Sequence, residues 1–226
     1  MATGERTLLK QQEVVGGYDQ GAYQDEIHYA TSRDGQRIPI YLVYRKDLKK
    51  DGTQPLLLYS YGSYGSTEDP YFSIVRLSLL DRGFIYAITN IRGSQVFGRQ
   101  SYEDGKMLKK KNTFYDFIDA GEYLVEQGYT DKSQLFCEGG SAGGLLIGAV
   151  VNMAPDLWKG ALAEVPFVDV VTTMEDVTIP LTSNEWDEWG DPREEKEYRY
   201  MLSYSPYDQI KDREYPNMLV TAGYFD

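Results

Sequence analysis

A chain of 226 residues has room for one large domain or two small ones, and 42% hydrophobic with 26% charged residues is globular composition, which excludes disorder, collagen repeats and low complexity. No apolar run reaches the ~20 residues of a membrane helix, and the N-terminal MATGERTLLKQQ lacks the apolar core of a secretory signal. Twenty-three Lys and Arg against 35 Asp and Glu give a net charge of −12, which disfavours nucleic acid and anionic membrane as partners and favours cationic ligands.

The first twenty or so residues are polar and end in Gly16-Gly17-Tyr18-Asp19, a linker or a tail. Glu26 to Ala30, an Asp34-Gly35 turn and Arg37 to Tyr44 predict a β-hairpin. A lysine-rich loop, Lys46 to Gln54, follows it. Leu56 to Tyr59 is a short continuous apolar run, as in a strand buried on both faces. A glycine-rich loop, Ser60 to Gly65, leads to a predicted helix over Ile74 to Leu80 and a second buried strand over Phe84 to Ile88. A long loop is expected through Arg92-Gly93-Ser94 and Tyr102 to Lys111. Phe114, Phe117, Ile118, Gly121, Leu124 and Val125 then repeat at helical spacing, capped before by Asn112-Thr113 and after by Gly128. Leu135 to Cys137 predicts a strand, Ala142 to Asn152 an apolar helix, and Ala161 to Ala163 and Met218 to Ala222 two further strands. Alternating buried strands and helices predict a doubly wound, mostly parallel α/β sheet.

Between the strand at Leu135 and the helix at Ala142 lies Gly139-Gly140-Ser141-Ala142-Gly143, which fits G-x-S-x-G. In that context it predicts a nucleophile elbow, with small neighbours that let the serine adopt a strained backbone. Ser141 is the candidate nucleophile. The Ala142 N–H, at the helix start, is a candidate oxyanion donor. A serine needs a base, and the base an orienting carboxylate, in the chain order Ser, Asp or Glu, His for this fold class. Asp226, just past the last predicted strand, is either that acid or a solvated terminal aspartate. The single histidine, His28, precedes the sheet in the first hairpin and reads as structural. The single cysteine, Cys137, allows no internal disulfide. No cluster of histidines or cysteines implies a metal, and no cofactor is expected.

Several further segments, in order along nearly the whole chain, resemble the prolyl oligopeptidase family of serine peptidases, and within it the oligopeptidase B branch. They include Tyr59 to Gly65, Arg76 to Gly83, Tyr102 to Lys106, Lys109 to Phe114, Gly139 to Gly144, Val165 to Val170, Glu185 to Gly190 and Ser203 to Asp208. The resemblance implies an α/β-hydrolase catalytic domain over 23–226, truncated at its C-terminal side before the family's histidine. Residues 1–22 are then the linker out of an N-terminal β-propeller that caps the site in cis. It implies Ser141 as nucleophile, Asp226 as triad acid, and Tyr61 with Ala142 as oxyanion donors. Glu185 and Asp187 match acidic residues that bind basic substrate side chains, with Glu188 beside them. Taken alone, that acidic run reads as a solvated loop, which the intervening Trp186 and Trp189 argue against. Proline-specific relatives usually carry asparagine after the nucleophile, so Ala142 leans to the basic-specific branch. The loop Arg92 to Gly98 departs from the family pattern, with Ser94-Gln95-Val96 in place of glycines and an acid.

The implied activity is cleavage of short, cationic peptides after Arg or Lys through an acyl-enzyme, in the cytoplasm, or the periplasm if a signal preceded the chain. The 226 residues by themselves are expected to be nearly inactive. The alternatives are a proline-specific oligopeptidase, an esterase or thioesterase of the same fold, and a non-catalytic remnant.

Overall fold

The computed structural model of the chain describes residue 4 and residues 6–224. Strands β1 (Tyr23–Thr31) and β2 (Arg37–Arg45) form the predicted hairpin, in antiparallel register from Tyr23 opposite Arg45 to Thr31 opposite Arg37. Then follow β3 (Leu56–Tyr59), α1 (Ile74–Leu80), β4 (Ile85–Thr89), α2 (Arg99–Glu103), α3 (Lys111–Glu126), β5 (Leu135–Gly140) and α4 (Ala142–Met153). The chain continues through β6 (Gly160–Glu164), α5 (Val170–Glu175), α6 (Thr182–Trp189), α7 (Glu195–Leu202) and β7 (Asn217–Thr221).

Among the described residues the strands make one sheet in the order β1-β2-β4-β3-β5-β6-β7. β1, β2 and β4 are antiparallel neighbours, and every pairing from β4 through β3, β5 and β6 to β7 is parallel. The α/β-hydrolase, mostly parallel sheet read from the sequence is therefore present. β3 alternates its side chains between two apolar layers. Leu56 and Leu58 join Phe114, Phe117, Leu145 and Leu146 beneath α3 and α4. Leu57 joins Leu77, Leu80, Tyr86 and Ile88 beneath α1. The chain leaves β3 to one side for β4 and later returns to its other side for β5. Such a switch point opens a crevice beyond the C-terminal strand ends, where α/β sheets place their sites.

Some local expectations change. The stretch expected as loop after Arg92 contains α2 and a 3-10 turn at Met107–Lys109. Asn112 and Thr113 do not cap α3. The helix begins at Lys111, and both side chains reach back from its first turn, Asn112 to the Asp104 carbonyl at 2.9 Å and Thr113 to the Gly105 carbonyl at 3.0 Å. The acidic run that looks like a solvated loop in isolation is helix α6.

A buried cation fastens the hairpin to the helical layer. The Arg92 guanidinium donates to Asp116 of α3 at 2.8 and 2.6 Å and to Asp34 of the hairpin turn at 2.5 and 3.1 Å. The Asp116 side chain is 2% exposed and that of Asp34 46%. Removing one partner of a buried pair leaves an uncompensated charge. Asp116→Ala should therefore lower unfolding free energy by about 3–5 kcal/mol, and Asp34→Ala by no more than about 1 kcal/mol. Urea unfolding of the two variants checks the order; equal losses would contradict it.

Candidate active site

Ser141 occupies the turn between β5 and α4 at φ 56°, ψ −117°. A non-glycine residue there carries roughly 1–3 kcal/mol of backbone strain. The surroundings impose it. The Ser141 N–H donates to the Glu164 carbonyl at 2.9 Å, and the Ser141 carbonyl accepts from Gly144 at 2.9 Å and Phe167 at 3.2 Å. The helix also lies too close for side chains on its neighbours. A Cβ on Gly139 would stand 2.4 Å from the Gly143 carbonyl oxygen, and one on Gly144 would stand 2.5 Å from Pro166 Cα. Ser141 is left exposed above the strand ends. The Ala142 N–H belongs to the first turn of α4, where the helix ladder offers no acceptor and the dipole is positive.

Tyr59 pairs with Glu138 across β3 and β5, so the chain after Tyr59 runs beside the chain leading to Ser141. That register brings the Tyr61 side chain next to Ser141. Burial raises the Tyr61 phenol above its ordinary pKa; the Ser141 contact works against this, and the charges of Glu188, Glu68 and Glu185 add to it. The phenol is therefore a protonated donor throughout the neutral range, as an oxyanion site requires.

Two residues to which the sequence assigns no role of their own, Lys110 and Glu188, hold this loop. Lys110 is 1% exposed and donates from Nζ to the Gly62 carbonyl and Ser63 Oγ, both at 2.7 Å. Glu188, 3% exposed, accepts from the Tyr64 N–H at 3.0 Å and from the Tyr102 hydroxyl at 2.6 Å. Tyr64 stands at φ 57° and packs edge-on against Trp189. In sequence, Lys110 sits inside Lys109-Lys110-Lys111, which looks like any solvated basic run; only the neighbouring Phe114 and Phe117 hint at a buried side.

Glu185, in the first turn of α6, accepts from the Tyr64 hydroxyl at 2.5 Å and is thereby brought to the loop that carries Tyr61. Asp187 is exposed and lies two positions further along the helix, a spacing that does not put two side chains on one face. The Ser94-Gln95 stretch packs directly on the Tyr61 loop. The Gly65 N–H donates to the Gly93 carbonyl at 2.9 Å, and a Cβ on Gly65 would meet Gln95 Nε2 at 2.5 Å. Asp226 lies outside the described residues. His28 is on β1, with β2, β4 and β3 between it and β5. Its Nε2 meets Glu26 at 2.9 Å and the Tyr129 hydroxyl at 2.8 Å, and Nδ1 meets the Tyr123 hydroxyl at 3.3 Å. That placement fits the structural role read for it.

Two outcomes follow from the strain and the burial. Ser141→Gly should be more stable than Ser141→Ala by about 1 kcal/mol, because only glycine accepts this backbone freely; thermal unfolding of both variants decides it, and the reverse order would show the turn to be unstrained. Burial pushes the Lys110 ammonium down to about 8 from 10.5, with the Glu188 charge opposing it. Between those two values the unfolded chain binds the proton that the folded chain has lost, so this group makes stability rise with pH across that window. The difference in unfolding free energy between the parent and Lys110→Met should therefore slope from pH 8 to pH 10, and a flat difference would place the Lys110 pKa at its ordinary value.

Residues 70–226 match the family profile described as the Prolyl oligopeptidase family. The chain is 57% identical over 225 residues to the dipeptidyl aminopeptidase BI of Pseudoxanthomonas mexicana, covering 99% of this chain and 31% of that protein. It is 50% identical over 226 residues to Protease 2 of Moraxella lacunata, covering 100% of this chain and 33% of that one. The solved structure of oligopeptidase B from Leishmania major superposes with a TM-score of 0.93 at 56% identity, over 96% of this chain and 30% of that chain. Oligopeptidase B from Trypanosoma brucei, solved with covalently bound antipain, superposes with a TM-score of 0.93 at 49% identity, over 96% of this chain and 31% of that chain. The chain thus spans about a third of the length of the relatives it matches. With the elbow at Ser141, the sheet order and these matches agreeing, the chain belongs to the prolyl oligopeptidase family, close to oligopeptidase B.

Proposed function

We propose that the intact gene product is a serine oligopeptidase that cleaves short peptides after Arg or Lys. The observation that carries the reading is Ser141, exposed on a strained strand-to-helix turn with the Tyr61 phenol beside it. In the proposed reaction Ser141 Oγ attacks the scissile carbonyl carbon while a base takes its proton. The carbonyl oxygen becomes an oxyanion, held by the Tyr61 hydroxyl and the Ala142 N–H. Donors of this kind are worth about 3–4 kcal/mol each. The amine leaves with the proton, an acyl-enzyme remains on Ser141, and water releases the second product by the same steps in reverse. Asp226 is the proposed acid that orients the base.

No histidine follows Ser141 among these 226 residues, and His28 is held on the edge strand β1, with three strands between it and β5. The 226-residue chain by itself is therefore proposed to hold the nucleophile and the oxyanion donors without the base, and to turn over only at the residual rate such a site retains.

The proposed basic preference rests on Glu185, which joins Tyr64 on the loop that carries Tyr61, with Asp187, exposed on another face of α6, as a second acid for a separate basic side chain. A partly desolvated carboxylate is a strong partner for a guanidinium. The names of two structural relatives, both oligopeptidase B, support this reading over that of more distant relatives named prolyl endopeptidase, such as one at 40% identity. The −12 net charge favours cationic peptides by the same sign.

Steady-state cleavage of otherwise identical fluorogenic peptides ending in Arg, Lys or Pro tests the reading in the intact gene product. Arg and Lys peptides should be cut and the Pro peptide spared, and Ser141→Ala should abolish turnover. Glu185→Gln and Asp187→Asn should each raise KM for the Arg peptide by about tenfold, the worth of one charged hydrogen bond, while fluorophosphonate labelling of Ser141 is retained. Cleavage after Pro alone would overturn the basic assignment, and an unchanged KM would remove that residue from the subsite.

A further inference from the structure

The loop Tyr61-Gly62-Ser63-Tyr64 presents two groups of the proposed reaction, the Tyr61 phenol at Ser141 and the Tyr64 phenol on Glu185. It lies beyond the end of β3, outside the strand ladder, and it turns at φ 72° on Gly62 and 57° on Tyr64. Its shape is set from beneath by two buried ionisable side chains. Lys110, at the start of α3, spans the Gly62 carbonyl and the Ser63 hydroxyl. Glu188, near the end of α6, takes the Tyr64 N–H with one oxygen and the Tyr102 hydroxyl with the other. The Lys110 ammonium lies over Trp189, with Nζ 5.1 Å from the ring centre.

Burying an ammonium and a carboxylate is costly, and a well-packed apolar pair is usually at least as stable. Fold stability alone therefore gives no reason for either charge here. What the two have in common is that each binds the backbone of the same short loop, one on each side of Ser63. We propose that Lys110 and Glu188 are positioning residues for peptide hydrolysis, acting through the Tyr61–Tyr64 loop to fix the Tyr61 hydroxyl at the oxyanion and the Tyr64 hydroxyl on Glu185. This rests on the reading of Ser141, Tyr61 and Glu185 given above. Lys110 acts on the Tyr61 side of the loop, and its loss therefore slows the chemical step. Glu188 acts on the Tyr64 side and bears on both the chemical step and the grip on a basic side chain.

The test is a double-mutant cycle in the intact gene product, read as kcat and KM on an Arg peptide. Lys110→Met keeps the buried volume and removes the donors. It should lower kcat by about tenfold, as a sub-ångström to ångström displacement of a catalytic group does, and leave KM within about twofold of the parent, since binding is not its role. In a Tyr61→Phe background the same substitution should change kcat by less than about twofold, because the group it positions is already gone. Glu188→Gln, which keeps an acceptor for the Tyr64 N–H, should retain most of the activity that Glu188→Leu loses. If Tyr61→Phe is slow and Lys110→Met costs as much there as in the parent, the positioning role is wrong while the oxyanion reading stands. If Tyr61→Phe is as fast as the parent, the oxyanion reading itself fails and the positioning role with it. Should Lys110→Met not fold, Tyr102→Phe takes its place in the cycle. It removes one donor from Glu188 and should lower kcat by about threefold in the parent and not in Tyr61→Phe; an equal loss of kcat in both would overturn the proposal.

Discussion

Everything at the Ser141 end of the molecule depends on how closely α4 descends onto the ends of β5 and β6. The Gly139–Gly143 and Gly144–Pro166 approaches are shorter than any side chain allows. With the helix that low, the connecting residue has no room for an ordinary conformation, and Ser141 takes a positive φ. The strain is thus a by-product of packing and is held by it. The apolar helix carries Leu145, Leu146, Ile147, Val150 and Val151, all buried, and it is their burial that offsets the strained turn. A serine on a looser turn would lie along the sheet instead of standing above it.

The second organising feature is that the acidic chain places its few buried charges at joints. Arg92 fastens the hairpin turn to α3, and Lys110 and Glu188 fasten the loop after β3 to the helices α3 and α6. In each case the charged group meets segments that cannot pair with a strand or helix ladder of their own. A hydrophobic contact would bury as much area there, yet it would not fix direction. Hydrogen bonds to a carbonyl or an N–H do. Tyr61 and Tyr64 inherit their orientation from these bonds, and the neighbouring Gly93–Gln95 segment packs against the same loop at Gly62 and Gly65.

Much of this was legible in the residues. Continuous apolar runs placed β3 to the residue, β4 and β6 to within one residue at each end, and the first half of β5, whose Glu138-Gly139-Gly140 end is not apolar, because a strand covered on both faces has little alternative to being apolar. The elbow was legible because glycine is required where two backbones nearly touch. The misses have physical origins. Helices α2 and α5 to α7 are short, and α2, α6 and α7 are also polar, and their stability comes from tertiary packing that local pattern does not record. Asn112 and Thr113 looked like caps because their side chains do bond backbone, only backward to Asp104 and Gly105 across a loop. Lys110 was invisible for a different reason: its two flanking lysines are alike in sequence, and only the fold decides which of the three turns inward.

The strand order has a consequence for how the chain acquires its site. Tyr61 follows β3 and Ser141 follows β5, and those two strands pair although Leu58 and Cys137 are about 80 residues apart in sequence. No other pairing in the sheet closes so long a loop. Long-range parallel pairing is slow to form because the entropy of closing the loop is lost before contacts repay it. The hairpin, the β3–β4 unit and the β5–β6 unit can each assemble from nearer neighbours. Their merger across the β3–β5 seam is the event that first sets a tyrosine hydroxyl beside the serine. A partly folded chain therefore contains both side chains and none of their geometry, and the reactive arrangement is created together with the centre of the sheet.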